Sequence, residues 1–512
     1  MNAYFTKLNI IFTLQVATVT LAVFGVFPRE VFLFLAGIIV FFMLFSSLEE
    51  SVYFITRSIP VFVALPITET FDSLNMWRVA VLILFLRWLF VGERVSGFLN
   101  SCALLFSKAR QGFWGAWLYA WKEWRVETLA LLLFLVSVLS LVNAENPTLG
   151  IKRIIYFANL WMLFFVVRQT ANRENAVKIA WNAVIGGSVV IAVGALQLIS
   201  AYTMGVDNFS EFWALGVNKT LYGAAWANIA INANTWFAYY NDTIHLRMFS
   251  SFPDTHSFPL YLLMVICFAM FLRKTFFVSL LVALACAEVV LSGTRGIWAS
   301  VLFPLLFLGY LFVKKFQLPS AVFSPFILFF LLLLLSSFIF NSTQFKLTGT
   351  GAERAVLAER IKSILDTGET SNQGRIFIWK KTIGSIQNNP LLGVGVGNFP
   401  VILKLNPTAS KAGASAHNLY LNFFAELGVF GFALFMCIVY EIWKAGWRLF
   451  MRREDVLMSF FGLNFLLYFL WILWYSMTDV AVFDERAFLL FMILLGVIFA
   501  LPSRYGTTAR IN

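Results

Sequence analysis

The sequence predicts an all-α protein that crosses the membrane with about 12–14 helices and carries a large periplasmic loop between its late helices. Of its 512 residues, 60% are hydrophobic and only 12% are charged, whereas soluble domains carry about 25% charged residues. Apolar runs of about 20 residues recur along the whole chain, and each is long enough to cross a bilayer as a helix. A soluble fold could not bury so much apolar surface. A membrane barrel is excluded because its strands alternate apolar and polar residues.

Fourteen apolar runs are candidates for membrane helices, at about 8–27, 31–47, 51–67, 77–92, 126–143, 151–168, 178–200, 257–272, 276–292, 297–313, 321–340, 419–442, 457–475 and 484–501. The run over 51–67 is the least regular, because it contains Arg57 and two prolines, and it is a candidate re-entrant segment. The first run is too long for the core of a signal peptide, so we expect it to be a membrane anchor.

Basic residues mark every second short loop, and in membrane proteins such loops face the cytoplasm. The clearest case is the loop with Lys444, Arg448, Arg452 and Arg453. Fourteen helices would then leave both termini in the cytoplasm and two long segments outside, over about 201–256 and 341–418. The second long segment has nine Lys and Arg residues against four Asp and Glu, a net charge of +5. That charge favours an anionic ligand, although a solvated basic loop is an alternative.

The chain accordingly divides into four parts. Residues 1–125 are expected to form N-terminal helices with a cytoplasmic, tryptophan-rich segment, and 126–340 a transmembrane core that includes the first long segment. Residues 341–418 are expected to be a periplasmic catalytic loop, and 419–512 the C-terminal helices. In the tryptophan-rich segment, the spacing of Trp114, Trp117, Trp121 and Trp124 predicts an amphipathic helix that lies in the membrane interface.

The strongest local pattern lies at the end of the second long segment. Arg375 and Trp379 share one helical face, and a Pro-Leu-Leu-Gly-Val-Gly-Val-Gly-Asn-Phe stretch follows at 390–399. The alternating glycines follow no βαβ unit, so they are not a dinucleotide fingerprint; they permit a tight backbone path back to the membrane. His417 then precedes an apolar run in which Asn418, Asn422 and Glu426 form a polar stripe. Glu426 is out of phase with His417, and we expect it to support helix packing or to pair with an arginine.

Three further features lie on the predicted outer side. The Ser-Gly-Thr-Arg-Gly turn at 292–296 holds Arg295 at the membrane boundary. Glu288, inside the preceding apolar run, lies seven residues before Arg295 and is expected on the same helical face. A carboxylate there is a functional hypothesis or the partner of an arginine. His245 and His256 are the other two histidines of the chain. His256 is a candidate for placing an acceptor, whereas replacing His245 is expected to be silent. Aromatic residues of 201–256 could stack on sugars or belong to the interfacial belt.

In this order and spacing, the motifs over about 290–430 resemble those of the bacterial O-antigen ligase and O-antigen polymerase superfamily. The resemblance implies a multi-pass protein of the inner membrane that transfers a glycan on the periplasmic face. The donor would be a glycan on undecaprenyl pyrophosphate, and the acceptor a hydroxyl of a glycolipid or glycan, in lipopolysaccharide or exopolysaccharide assembly. An O-antigen ligase-like reaction is the first expectation. A polymerase or a protein O-oligosaccharyltransferase of the same family remains open.

The resemblance also implies roles for individual residues. Arg375 and Arg295 would grip the pyrophosphate, since a guanidinium binds phosphate with two parallel hydrogen bonds. His417 would take the proton of the acceptor hydroxyl. The expected substrate-binding residues are Trp379, Asn418, Glu426 and His256.

The sequence contains no DxD motif and no metal-ligand spacing, so we expect an inverting mechanism without metal or cofactor. The net charge of +12 is assigned to loops beside membrane helices rather than to nucleic-acid binding. The main alternative of another class is a transporter or flippase for lipid-linked sugars. Transporters usually bind at the membrane midplane between repeats, whereas these charges cluster in an outer segment. A glycosidase would need paired outer carboxylates, for which the sequence offers no good pair.

Overall fold

The computed structural model describes residues 6–67, 74–90, 107, 108, 110, 112–232, 235–240, 243–272, 275–342, 344–346, 370–404 and 415–503. The described elements are, in order, α1 Lys7–Val23, α2 Val31–Phe45, α3 Leu48–Ser58, α4 Met76–Phe90, α5 Phe113–Glu123, α6 Arg125–Ser140, α7 Pro147–Thr170, α8 Arg173–Thr203, α9 Val206–Glu211, α10 Lys219–Tyr222, α11 Ala224–Asn232, β1 Phe237–Tyr240, β2 Thr243–Leu246, α12 Ser257–Phe271, α13 Phe276–Leu291, α14 Arg295–Ser300, α15 Leu302–Val313, α16 Ser324–Ser342, β3 Gln344–Lys346, α17 Thr370–Asn388, α18 Phe399–Ile402, α19 Leu419–Phe450, α20 Val456–Tyr475 and α21 Glu485–Ser503. A π-helical stretch, Phe212–Asn218, joins α9 to α10. The predicted all-α class is confirmed.

Several of these helices are membrane-spanning candidates. Six helical stretches of the described chain are long and apolar enough to cross a membrane: Arg125–Asn143, Pro147–Thr170, Arg173–Thr203, Arg295–Val313, Leu419–Phe450 and Val456–Tyr475. Five shorter apolar helices lie at Lys7–Val23, Val31–Phe45, Ser257–Phe271, Phe276–Leu291 and Ser320–Ser336. The protein is therefore a polytopic membrane protein, and the number of crossings stays a prediction.

The irregular run at 51–67 is not a spanning helix. Its helix α3 has 11 residues, against the roughly 20 needed to cross a bilayer, and a 3₁₀ turn at Ile59–Val61 follows. Arg57 is buried there, where its Nε donates to Asn182 Oδ1 at 2.9 Å and its Nη1 to Asn9 Oδ1 at 2.6 Å. The guanidinium also lies over the ring of Phe12, 5.3 Å from its centre. These partners satisfy a charge that apolar surroundings alone would not tolerate.

Three of the short basic loops lie together at one end of the helix bundle, here called the basic end. Arg173 pairs with Asp455 at 3.3 Å, which joins the loop before α8 to the loop before α20. Arg453 lies 5.3 Å from the ring centre of Phe316, which adds the loop after α15. These three loops, which are far apart in the sequence, are therefore neighbours in space.

A small antiparallel sheet joins the two long segments. The strand order is β1-β2-β3, and His245 of β2 is paired with Ala238 of β1 and Gln344 of β3. The first long segment thus provides β1 and β2, and β3 lies near the start of the second long segment. Much of the second long segment, including Arg354, Arg360, Lys362 and Lys411 of the predicted basic loop, lies outside the described residues.

The helix predicted from the tryptophan spacing is present as α5, but it ends before the fourth tryptophan. The backbone of Trp124 has φ −131° and ψ 41°, which is not helical, and α6 begins at the next residue. The Trp124 ring lies 6.4 Å from the ring of Phe165 in α7, whereas Trp114 is exposed. Trp124 therefore packs against α7, whereas Trp114 lies on the surface.

Candidate functional site

The alternating glycines form a turn that fits into a kink of α19. At Gly428 the backbone has φ 64° and ψ −166°, which interrupts the helix. The N–H of Val429 donates across the kink to the Pro390 carbonyl at 2.8 Å. In return, the N–H of Val394 donates to the Ala425 carbonyl at 2.9 Å. Hydrogen bonds lost inside the helix are thus replaced by bonds to the turn.

This fit explains why two positions are glycine, Gly393 in the turn and Gly428 at the kink. A Cβ at Gly393 would overlap the backbone of Ala425 and Glu426, and a Cβ at Gly428 would overlap the backbone of Leu391. Both glycines also have positive φ angles, which other residues rarely adopt. The expectation of a tight backbone path is met by a close approach of two backbones.

We expect Gly428→Ala to lower the melting temperature of the purified protein by several degrees. A strained backbone conformation costs about 1–3 kcal/mol, and the added Cβ overlaps Leu391. The matched control is Gly384→Ala in α17, where a Cβ meets nothing within 4 Å. An unchanged melting temperature for Gly428→Ala would contradict this account of the kink.

The predicted polar stripe of α19 is present, and its oxygens bind backbone N–H groups. Asn418 Oδ1 caps the helix, accepting from Tyr420 N and Leu421 N at 3.0 Å each. Asn422 Oδ1 accepts from Ala416 N at 3.1 Å. One Glu426 oxygen accepts from Gly397 N at 3.0 Å, within the glycine turn. The stripe therefore shapes the chain on both sides of His417, and contact of Asn418 or Glu426 with a substrate stays a prediction.

Helix α17 carries Arg375 and Trp379 to the same end as His417. The Trp379 Nε1–H donates to the Ala416 carbonyl at 3.0 Å, next to His417. A small apolar core of Phe399, Ala416 and Ala425 packs with Ile378 and Ile386 and holds α17 against the start of α19. Trp379 thus positions the backbone before His417, and its contact with a substrate stays a prediction.

His417 lies between two anchored neighbours and faces an acidic side chain. Its φ of +45° is in the left-handed region, which is uncommon for a histidine. Its Nδ1 is 3.6 Å from Oδ2 of Asp479. The N–H of Leu419 donates to the Ser476 carbonyl at 2.8 Å, which holds the His417 segment beside the loop that carries Asp479.

Asp479 lies in the loop between α20 and α21 and is the centre of the site. Its Oδ1 accepts from the N–H groups of Val480 at 2.8 Å and Ala481 at 3.0 Å. Oδ2 therefore points to two imidazoles, His417 at 3.6 Å and His256 at 3.9 Å. Both distances exceed a normal hydrogen bond, and catalytic hydrogen bonds are often long before substrate binds.

The charge of Asp479 follows from its surroundings. Burial alone would raise its pKa, but the facing His256 and His417 and the guanidinium of Arg375 outweigh burial and lower the pKa below its usual range. Asp479 is therefore a carboxylate at neutral pH. It can hold an imidazole in one orientation and stabilise that imidazole when it gains a proton.

His256 is held at the start of α12. Its N–H donates to Asp254 Oδ1 at 2.9 Å, and its carbonyl accepts from the Tyr475 hydroxyl at 3.5 Å. The pKa of His256 is lowered to about 4, mainly by burial and also by the positive charges of Arg247 and Arg375, which outweigh the opposing effect of the Asp479 and Asp254 carboxylates. His256 is therefore neutral at neutral pH.

The turn that carries Arg295 packs against the same loops. Thr294 Oγ1 donates to the Thr255 carbonyl at 2.7 Å, next to His256, and accepts from Arg247 Nη2 at 3.4 Å. Gly296 packs against the side chains of Tyr475 and Thr478. Arg295, between Thr294 and Gly296, therefore belongs to the end of the bundle where both histidines and Asp479 lie.

Glu288 does not share a helical face with Arg295. Helix α13 ends at Leu291 and Gly293 has a φ of 60°, so the turn separates the two residues. The buried Glu288 carboxylate packs against Gly194 of α8, and its Oε2 has no hydrogen-bond partner among the described residues. The expected pairing of this carboxylate with an arginine is not found there.

Other expectations for the first long segment need correction. His245 is completely buried, so its replacement by alanine would leave a cavity and would not be silent. Trp213 and Trp236 are also buried, and Trp236 stacks on Phe249 at 4.4 Å. Both rings pack within the protein core and are therefore not available to stack on sugars.

Sequence reasoning missed Asp479 and Arg247. A signal for Asp479 was present, because it is the one charged residue between Val456 and Phe483, and a lone charge beside a membrane helix is a functional indication. Arg247 directly follows β2 and is part of no recognisable sequence motif. In the described part of the chain, no three His, Cys, Asp or Glu residues are grouped as metal ligands would be; the metal-independent mechanism stays a prediction.

Residues 280–436 match the O-antigen ligase family. The matched part contains Arg295, Arg375, the glycine turn and His417, whereas His256 and Asp479 lie outside it. A comparison with curated proteins finds no match. The family match confirms the resemblance seen in the sequence: residues 280–436 are similar to the O-antigen ligase family.

Proposed function

We propose that this protein is an O-antigen ligase-like glycosyltransferase that moves a glycan from undecaprenyl pyrophosphate to an acceptor hydroxyl on the periplasmic face. The family match supports a membrane glycosyltransferase-like function in glycan assembly. The finer proposal rests on the position of Asp479 Oδ2, which lies between the imidazoles of His417 and His256. The positive charge of Arg375 also acts on both Asp479 and His256. A proton acceptor and a cation for a phosphate thus meet at one end of the bundle.

The reaction needs a base for the acceptor and charge neutralisation for the leaving group. His417 Nδ1 faces Asp479, so Nδ1 carries the hydrogen and Nε2 is free to accept the hydroxyl proton. The acceptor oxygen attacks the anomeric carbon of the donor sugar. The bond from that carbon to the phosphate oxygen breaks, and undecaprenyl pyrophosphate leaves with the electron pair. A single displacement inverts the anomeric centre.

Arg375 and Arg295 would stabilise the negative charge that develops on the pyrophosphate, as guanidinium groups do in phosphate sites. Neutral His256, which also faces Asp479, would accept or donate a hydrogen bond to the acceptor sugar. Asn418, Trp379 and Glu426 would act mainly by shaping the chain around His417. No step of this mechanism uses a metal ion or cofactor.

A transfer assay in detergent tests the proposed function and separates it from a flippase. Purified protein is mixed with labelled undecaprenyl-pyrophosphate glycan and, in parallel, with a core glycolipid, a second lipid-linked repeat or a protein hydroxyl. We expect one acceptor to gain the label, with release of undecaprenyl pyrophosphate and no loss of rate in excess EDTA. A flippase would make no product without a bilayer. A rate that EDTA removes and magnesium or manganese restores would contradict the arginine-based mechanism.

The proposed location of the site is tested separately by reporter fusions. Alkaline phosphatase is active only outside the cytoplasm, so a fusion after Leu405 in the second long segment should be active. A fusion after Arg453, at the basic end, should be inactive. The reverse pattern would place His417 in the cytoplasm and would exclude a periplasmic transfer.

A further inference from the structure

Helix α17 has apolar side chains on two faces, and the protein covers only one of them. On the inner face, Ile378 and Ile386 pack on the small core that holds α17 against the start of α19. The outer face is exposed, and its large apolar side chains are Ile376, Phe377 and Ile383. The outward face of a helix that meets water is normally polar. The outer face of α17 therefore indicates a partner that is at least partly apolar.

The outer face is also basic. Lys380 and Lys381 lie between Phe377 and Ile383 in the sequence and are exposed together with them. Nζ of Lys381 is 5.7 Å from the ring centre of Phe377. Neither lysine belongs to an ion pair within the described part of the chain. Lysines beside exposed apolar side chains are typical of a helix face that binds an anionic membrane surface, with the lysine stems on the apolar boundary and the ammonium groups among the phosphates.

A lipid-facing surface adjoins the outer face. Helix α19 is long and apolar enough to cross the membrane. Beyond its kink, one stripe at the spacing of a helix face is exposed: Val429, Phe430, Ala433, Met436, Cys437 and Tyr440. The backbone of Leu391 packs against Gly428 at the kink, and Leu391 is 58% exposed. The exposed apolar surface thus continues from this stripe through Leu391 toward the end of α17 at Asn388.

The positive charges of α17 are divided between its two sides. The guanidinium of Arg375 acts on Asp479 and His256 in the site. At about 100° per residue, Lys380 and Lys381 lie about 140° and 120° around the helix from Arg375, in opposite senses. One helix therefore presents a cation to the site and, on its other side, two cations to its surroundings.

We propose that the outer face of α17 binds the membrane surface at the end of the bundle where the site lies, with Lys380 and Lys381 on the phosphates of anionic phospholipids. The exposed apolar side chains of that face lie at the boundary of the acyl chains. Because Arg375 is on the other side of the same helix, this contact fixes the depth of Arg375 in the membrane interface. The lipid contact needs neither donor nor acceptor, so its test does not depend on the proposed function.

The test is photolabelling of the full chain in nanodiscs. The probes are phosphatidylglycerol and phosphatidylcholine, each with a diazirine near the top of one acyl chain, and labelled peptides are identified by mass spectrometry. We expect both lipids to label α17, with phosphatidylglycerol giving about threefold more label because two lysines attract it. This excess should vanish in about 1 M salt, which screens surface charges. Peptides of α19 beyond the kink should be labelled equally by both lipids and serve as the internal standard.

Paired substitutions separate the two parts of the contact. Lys380→Gln with Lys381→Gln should remove the excess labelling by phosphatidylglycerol and leave labelling by phosphatidylcholine unchanged. Phe377→Ser with Ile383→Ser should lower labelling of α17 by both lipids. The matched control is Lys152→Gln, since Lys152 is an exposed lysine of α7, and it should change neither.

The wild-type result alone can overturn the inference. An unlabelled α17 beside a labelled α19 would show that water or another protein covers the outer face. Equal labelling of α17 by the two lipids would remove the role of the lysines, as would the same loss of excess labelling in Lys152→Gln. Labelling of α17 as expected, without any glycan transfer by the same preparation, would contradict the proposed function and leave the lipid contact standing.

Discussion

His417→Ala is expected to lower the rate of glycan transfer by about 10²–10⁴-fold, the usual contribution of general-base catalysis, while donor binding is retained. In the proposed mechanism the imidazole, which faces Asp479, is the acceptor-side base, whereas arginines of other elements would bind the pyrophosphate. His417→Asn should lose as much activity. Asparagine tolerates left-handed backbone angles, so it suits the φ of +45° at this position, and an equal loss would assign the effect to the imidazole.

The measurement is transfer of labelled glycan by the purified variants, paired with donor binding and melting temperature. A base that contributes on this scale cannot be His417 if His417→Ala keeps more than about a tenth of the wild-type rate. A loss of donor binding together with transfer would instead show that the histidine supports the fold of the site.

Arg375→Ala is expected to weaken donor binding by about ten- to a hundredfold, because a charge-assisted hydrogen bond contributes about 1.5–3 kcal/mol. Lysine should restore little, since it replaces a planar fork by a point charge. Arg295→Ala should have a similar effect. Lys381→Ala is the matched control, since Lys381 is exposed on the same helix and lies 5.7 Å from the ring centre of Phe377.

Donor binding is measured with labelled undecaprenyl-pyrophosphate glycan on the purified variants. Unchanged donor binding in both Arg375→Ala and Arg295→Ala would show that the two arginines act only as membrane-interface anchors. A drop in Lys381→Ala as large as that in Arg375→Ala would indicate a diffuse charge effect instead of a phosphate site.

The helical architecture was predictable because apolar length alone specifies membrane helices. The run at 51–67 was recognised as irregular from Arg57 and its prolines, and it forms the short helix α3. The spacing of Asn418, Asn422 and Glu426 was also informative, since the two asparagines bind the chain beside His417 and Glu426 binds the glycine turn. Patterns within one helix are thus readable from the sequence.

Contacts between distant parts of the chain were not predictable in the same way. Asp479 reaches His417 because the Leu419 N–H binds the Ser476 carbonyl, a contact with no sequence motif. The relation assumed between Glu288 and Arg295 failed because the helix ends at Leu291. Trp213 and Trp236 were assigned to sugars or to the interface because burial cannot be read from residue type.

The central claim is that His417 and Asp479 act as one unit in proton transfer. The most direct measurement is the single-turnover transfer rate of His417→Ala, Asp479→Asn and the double variant, with donor bound beforehand. The account predicts that Asp479→Asn alone slows transfer, and that adding it to His417→Ala causes no further loss, because residues that act as a unit are not additive. A double variant whose loss is the product of the two single losses would contradict the claim.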